Sequence, residues 1–295
     1  IAFLNLLKML VKKKIIGLTG SSGVLGKRFI KNYKKKYKFV KYPYRLENTK
    51  KINYWTKKNS KIDKFIHFAA ISNKSIIKKN PKKALEVNYK STINLINLLN
   101  KNTNLKYFNF ISTSNVYKSS LRSLKENSVC QPNNYYGHTK LKTENYIQKN
   151  SKEFNFKIGV SRVFNYTSPD QSEGYFIPDV IRKLKKRKKE KRIFFSNLNQ
   201  RRNFSHIDDI CLAINLMLEK NSKGFFNISS GNTIILKDLV KIIIKKMNLK
   251  IKLQTDKKKN NLVPNINKLK RLGYKPKKKL KDILYEFEKK GRFKI

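Results

Sequence analysis

Short apolar runs alternate with amphipathic stretches along most of this chain, and the alternation predicts strands followed by helices. Ile15-Ile16-Gly17-Leu18 reads as a short buried strand, and a helical pattern follows from Lys27 to about Lys36. Further strand-length apolar runs occupy Lys38–Tyr42, Phe65–Ala70, Lys106–Ile111, Lys157–Val163 and Gly224–Ser229. Helical periodicity recurs around Ile52–Lys58, over Pro81–Lys101, from Tyr136 to Lys149 and over Ile210–Leu218. Two more helices, Leu236–Met247 and Leu280–Lys290, complete the chain. Repeated strand–helix units imply an α/β fold with a parallel, doubly wound sheet and right-handed crossovers. The alternation stops after Val163, where Pro169, Gly174 and Pro178 interrupt it. A helix from Pro178 then dissolves into a basic run at 183–192, read as a solvated helix end.

The turn after the first strand adds chemistry to the pattern. Thr19-Gly20-Ser21-Ser22-Gly23-Val24-Leu25-Gly26 places three glycines between a strand and a helix, the context in which such a loop binds a dinucleotide. Gly20 permits the tight turn, Gly23 lets the backbone approach a pyrophosphate, and Gly26 packs the helix close to the strand. Phosphates would sit on the helix N-terminus, where free N–H groups and the dipole favour anions. The second strand ends without an Asp or Glu to hold a ribose 2′-hydroxyl, and Arg45 follows, which favours NADP(H) while leaving NAD(H) possible. Ala69 and Ala70 are small enough at a strand end to let a cofactor lie against the backbone, whereas His67 reads as a packed core residue. A Rossmann-type domain is therefore expected over 12–165, completed by 204–231. A smaller C-terminal α/β lobe, residues 166–203 and 232–295, would bind substrate.

Composition changes this picture little. The formal charge of +52 invites a nucleic-acid partner, but only eleven of the 70 basic residues are arginine, the side chain that reads phosphates and bases bidentately. An excess of Lys, Asn and Ile is what an AT-rich genome supplies at tolerant surface positions, so no specific nucleic acid is expected. Cys130 and Cys211 stand far apart without a ligand or disulfide pattern, which fits a reducing, cytoplasmic compartment and no metal site. The apolar run at residues 1–11 is too short to span a bilayer, and no membrane association is expected. Met9 is a candidate true start, with residues 1–8 as upstream read-through.

Two positions remain that carry reaction chemistry. Tyr136 and Lys140 lie four residues apart, on one face of a helix, where an ammonium can lower a phenol's pKa towards neutrality. Ser112-Thr113-Ser114 closes a strand at the sheet edge that faces a ligand crevice. TGSSGVLG, HFAA, STS and YGHTK, followed by RVFN, RNFSHIDD, FNISSG and NINKLKRLGYKP, together resemble the extended short-chain dehydrogenase/reductase family of nucleotide-sugar epimerases, dehydratases and reductases. The resemblance covers about residues 12–290. It implies Tyr136 as acid/base, Lys140 as the residue that orients the nicotinamide ribose and acidifies Tyr136, and Thr113 as the hydrogen-bond donor to the reacting oxygen, a role Ser112 or Ser114 could share. It further implies Asn165 and Arg202 as contacts to a substrate diphosphate, a nucleotide-diphosphate sugar as partner, and a homodimer formed through a bundle that includes the Tyr136 helix. Asp208 and Asp209 are expected to cap a helix, and His206 to be structural.

The resemblance also narrows the reaction. Dehydratases of this kind need an acid beyond the strand-end hydroxyl, and Ser114-Asn115 offers no carboxylate. The stretch Phe164-Asn165-Tyr166-Thr167-Ser168-Pro169-Asp170-Gln171-Ser172 looks like FNHTGPGQS of GDP-4-keto-6-deoxymannose reductases, with Tyr166, Ser168 and Asp170 as departures. The expectation is NADPH-dependent reduction of a nucleotide-diphospho-4-keto-6-deoxyhexose at C4. The alternatives are an NAD-dependent 4-epimerase and a non-catalytic scaffold that binds RNA.

Overall fold

The computed structural model describes residues 13–171, 174–257 and 261–295. The expectations for residues 1–12, among them Met9 as a start, and for Ser172 lie outside the described residues. Six strands form one parallel sheet: β1 (Ile15–Thr19), β2 (Lys38–Lys41), β3 (Lys64–His67), β4 (Tyr107–Thr113), β5 (Lys157–Val163) and β10 (Gly224–Ile228). Their spatial order is β2-β1-β3-β4-β5-β10. The chain moves outward from β1 to β2, then crosses back to β3, so the order reverses between β1 and β3. That switch point is where a doubly wound sheet opens a crevice at the strands' carboxyl ends.

Helices cover both faces, which is why β3 and β4 are buried at every position. On one face α1 (Val24–Tyr33) and α8 (Ile207–Lys220) pack Phe29, Ile210, Ile214 and Met217 against Ile16, Leu18, Ile66 and Ile111. On the other, α2 (Thr49–Lys58) and α5 (Ser91–Asn102) bring Ile52, Trp55, Leu95 and Leu99 to Phe65, Phe108 and Val160, and α6 (Tyr135–Lys149) adds Ile147. The helix expected over Pro81–Lys101 is interrupted. α3 (Lys74–Lys79) and α4 (Pro81–Leu85) precede a single π-helical turn at Glu86–Lys90, which leads into α5. The turn brings Asn88 inward, where its side chain exchanges hydrogen bonds with the backbone of Ile71 at 2.8 and 3.0 Å and donates to Thr139 of α6 at 3.1 Å.

Beyond β5 a second core forms from α7 (Phe176–Lys186), α9 (Leu236–Lys246) and α11 (Leu280–Lys289), with Ile181, Leu184, Leu239, Ile243, Leu284 and Phe287 buried together. Three two-stranded pairs edge it: β6 (Tyr166–Thr167) with β9 (Ser205–His206), β8 (Arg201–Asn203) with β11 (Thr233–Ile235), and β7 (Arg192–Phe194) with β12 (Lys252–Gln254). A short α10 (Asn267–Arg271) packs Leu269 back onto the sheet core. Among the described residues no helix is long and apolar enough to cross a membrane.

The start of α8 corrects one expectation. Neither Asp208 nor Asp209 caps it; His206 does, accepting from the Asp208 amide at 3.1 Å and contacting Glu286 at 2.8 Å through its other nitrogen. Asp208 instead grips the Arg28 guanidinium of α1 with both oxygens, at 2.6 and 2.9 Å. Asp209 accepts from the amides of Lys277 and Lys278, at 2.8 and 3.0 Å. Both carboxylates lie inside the first turn and serve as tertiary ties, Asp208 to side chains of α1 and Asp209 to the backbone of a segment laid across it.

Candidate active site

At the end of β1 the chain turns at Gly20 with φ +68°, and a Cβ there would stand 2.6 Å from the Ala69 amide nitrogen. Both the conformation and the close approach to the end of β3 demand glycine. Gly26 is excluded from carrying a side chain by the Gly20 carbonyl itself, so it packs the helix against the turn. Around Gly23 only that carbonyl lies near an added Cβ, at 3.4 Å, and the outer side is open. Gly23 is the N-cap of α1, with no side chain bonded to the first turn and no acidic residue in it. The orphan N–H groups of a helix start are thus left for an anion, and the cradle fits a dinucleotide diphosphate. Ser21 is half-buried and Ser22 exposed beside it, while Val24 and Leu25 point into the sheet core, which leaves those two only their backbone to offer.

The floor of the crevice is held by a directional chain of hydrogen bonds. Ala69 donates its amide to Thr19 Oγ1 at 3.3 Å, Thr19 meets His67 Nδ1 at 2.8 Å, and His67 Nε2 meets Thr92 Oγ1 at 3.0 Å. Thr92 in turn donates to the Val87 carbonyl at 3.1 Å, which assigns the His67 proton to Nε2. Burial, with Lys140 nearby, holds the His67 pKa well below its ordinary value, so the ring is neutral. His67 is a core residue, as its apolar strand implied. Ala69 and Ala70 are half-buried at the same strand end, and Arg45 is exposed in the loop after β2.

Thr113 is the last residue of β4, and its Oγ1 accepts from the Asn115 amide at 3.2 Å and from Asn115 Nδ2 at 3.1 Å. α6 begins directly above. Asn134 caps it by accepting from the Gly137 amide at 2.9 Å, and Gly137 lies so close to the Asn115 carbonyl that no Cβ fits. Tyr136, the neighbour of Gly137, therefore stands beside the turn that follows Thr113. One helical turn on, Lys140 is 1% exposed and its Nζ lies 4.2 Å from the centre of the Phe110 ring.

The electrostatics differ from the expectation that Lys140 acidifies Tyr136. Burial pushes the Lys140 ammonium down to about 7, against an upward pull from Glu144. Burial, reinforced by the Tyr175 phenol, pushes Tyr136 above its ordinary value. Desolvation is the largest influence on both groups, raising the phenol and lowering the ammonium. The phenol consequently holds its proton in the ligand-free protein.

Side chains alternate along a strand, and this separates the three strand-end hydroxyls. Ser112 faces α6 and donates to Glu144, so it is committed to that carboxylate and unavailable to a ligand. Ser114 is buried in the short 3₁₀ turn at Ser114–Val116. Asn165 is exposed just past β5, and Tyr166 follows it in β6. Burial raises the Tyr166 phenol, and the nearby Tyr175 and Tyr136 phenols add to the shift. Arg202 is half-buried, hydrogen-bonded to the Arg201 carbonyl at 3.1 Å and to Gln200 Oε1, and burial lowers it only to about 10, so it stays charged. Arg201 is exposed and reaches Thr233 at 3.4 Å.

Glu144, Arg162 and Asn88 were not singled out from sequence. Glu144 had a readable signal, four residues after Lys140; Arg162 and Asn88 had none beyond being polar within apolar segments.

A glycine cradle at the switch point, with Tyr136 and Lys140 on the helix beside Thr113, places the protein among the extended short-chain dehydrogenases/reductases. The chain belongs to the NAD dependent epimerase/dehydratase family, whose sequence profile matches residues 16–229. It is 32% identical over 197 residues to a dTDP-D-glucose 4,6-dehydratase of Dictyostelium discoideum, a match covering 62% of this chain and 45% of that protein. It is 23% identical over 188 residues to a GDP-6-deoxy-D-mannose reductase of Pseudomonas aeruginosa, covering 61% and 62% respectively. The chain thus spans about half to two thirds of the length of these relatives. The structure of RMD from Pseudomonas aeruginosa complexed with NADPH superposes with a TM-score of 0.80 at 20% identity, over 92% of this chain and 98% of that one. At that identity the likeness is one of fold.

Proposed function

We propose that the protein is an oxidoreductase that reduces a nucleotide-diphospho-4-keto-6-deoxyhexose at C4, using NADPH. The observation that carries this reading is the end of β4, where Thr113 is followed by Ser114-Asn115 with no carboxylate and the Asn115 carbonyl packs against Gly137 of the helix that carries Tyr136. NADPH, when bound, supplies the hydride that adds to C4. Tyr136 donates its proton to the C4 oxygen, so that ketone becomes alcohol and the phenolate is left to be reprotonated from solvent. Thr113 gives a hydrogen bond to the same oxygen as charge develops on it. Lys140 holds the nicotinamide ribose and, once charged, stabilises the phenolate.

Arg45, exposed where the second strand ends without an acid, supports NADPH over NADH. Arg202 is a charged, half-buried guanidinium with no carboxylate partner among the described residues, which suits the substrate's diphosphate, and the exposed Asn165 is assigned the same role by the resemblance. Residues 166–203 and 232–295 then form the substrate lobe over a dinucleotide domain of 12–165 and 204–231.

The test is purified protein against a panel of nucleotide-4-keto-6-deoxy sugars with NADPH or NADH, followed by absorbance at the nicotinamide band. Stoichiometric NADPH oxidation is expected. Conversion of nucleotide hexoses without added cofactor, by a protein that retains NAD, would instead identify an epimerase or dehydratase.

A further inference from the structure

We propose that Glu144 and Arg162 are a positioning pair that seats Tyr136 and Lys140 against Thr113. This rests on the reading of those three groups as the reacting site. Glu144 projects from α6, one turn beyond Lys140, and Arg162 projects from β5 to meet it. Arg162 Nη2 lies 2.7 Å from Oε2, and its Nε lies 3.1 and 3.2 Å from the two carboxylate oxygens. Ser112, the residue before Thr113 on β4, donates its hydroxyl to the same carboxylate. The remaining Arg162 nitrogen, Nη1, donates to the Glu126 carbonyl at 2.9 Å. The guanidinium plane is held between the Tyr117 and Phe225 rings, 4.7 and 4.6 Å from their centres.

Every segment that bears a reacting group is tied to this pair. α6 carries Tyr136 and Lys140, and Glu144 anchors it. β4 carries Thr113, and Ser112 anchors it. The loop that runs from Thr113 to Tyr136 contains Tyr117 and Glu126, which clasp Arg162 and bond Asn227 of β10 at 2.6 and 3.0 Å. The pair is almost wholly buried, with side-chain exposures of 5% for Arg162 and 1% for Glu144. A buried ion pair adds little stability over apolar residues of the same volume, so fixing the register of the three segments accounts better for its presence. It also governs charge. His67 of β3 and Glu144 of its own helix are the titratable groups that bear on Lys140, with Phe110 of β4 beneath it. Because Arg162 holds the Glu144 carboxylate, Lys140 is left without a full counter-ion.

The experiment replaces the pair by apolar residues of similar volume, Glu144→Leu with Arg162→Met, and compares this protein with Arg162→Lys and Tyr136→Phe. Cofactor binding by fluorescence should stay within about threefold, whereas misplacing the site should cut kcat about a hundredfold with little change in KM. The pH–rate profile should also move to lower pH, since Lys140 loses the pull of Glu144. A double variant with wild-type kcat and an unmoved profile overturns the proposal. If that variant does not fold, Arg162→Lys decides, because lysine keeps the charge but neither the fork nor the ring stacking. A folded Arg162→Lys protein with kcat reduced about tenfold supports positioning; one with wild-type kcat overturns it. The underlying reading fails separately: an active Tyr136→Phe protein refutes the site itself, whereas an inactive one beside a fully active double variant refutes only the pair.

Discussion

Lys140 and Glu144 stand one turn apart on the buried face of α6, yet they are not each other's ion pair. Glu144 is bound by Arg162 at 2.7 Å, and Lys140 rests its ammonium 4.2 Å from the centre of the Phe110 ring. The lysine of the proposed site is thus a buried amine poised near neutrality, and this has consequences for stability.

Without ligands, stability should rise with pH between about 7 and 10.5, the folded and ordinary values for Lys140. In that window the unfolded chain binds the proton and the folded protein does not, so raising pH favours the folded state. Lys64, buried against the C-terminal end of α8 and lowered to about 8 by burial, adds to the same slope. Lys140→Met should raise the melting temperature at pH 7 and flatten the slope while abolishing turnover. Thermal unfolding of both proteins across that pH range checks this; an unchanged slope refutes it.

Tyr136→Phe should lower kcat by about two to four orders of magnitude, the usual contribution of a positioned acid. NADPH binding, measured by fluorescence, should stay near wild type, because the phenol ring and the helix remain.

At Gly20 the strain is local and sharp. Gly20→Ala forces a side chain into φ +68° and towards the Ala69 amide. The conformation alone costs about 1–2 kcal/mol. Calorimetry should show a lowered melting temperature, and titration should show cofactor affinity weakened more than substrate affinity.

Cofactor choice is testable at one exposed position. Arg45→Ala should raise the KM for NADPH about tenfold, the scale of one charge-assisted phosphate contact. The KM for NADH should hardly change. Equal effects on both cofactors would show that Arg45 does not read the 2′-phosphate.

Much of this site was legible in the chain itself. The spacing of Gly20, Gly23 and Gly26 between a strand and a helix located the cradle, because Gly20 and Gly26 answer local backbone demands. The four-residue step from Tyr136 to Lys140 placed both on one helix face. His67 was recognisable as core from its apolar strand. Such inferences succeed where the cause lies within a few residues: periodicity, turn geometry, side-chain size.

Tertiary structure decided the rest. Ser112 could share the role given to Thr113 until the pleat turned it to Glu144. Asp208 and Asp209 looked like caps until His206 took that place and the carboxylates reached Arg28 and the backbone at 277–278. The π-helical turn that carries Asn88 inward has no pattern in the chain. Most of all, the charge states of Tyr136 and Lys140 depend on how deeply α6 sinks into the core, and Glu144 is held by Arg162, which lies 18 residues beyond it. Local sequence determined which elements carry the candidate groups; burial and long-range pairing determined their protonation, since desolvation is a property of the packed whole.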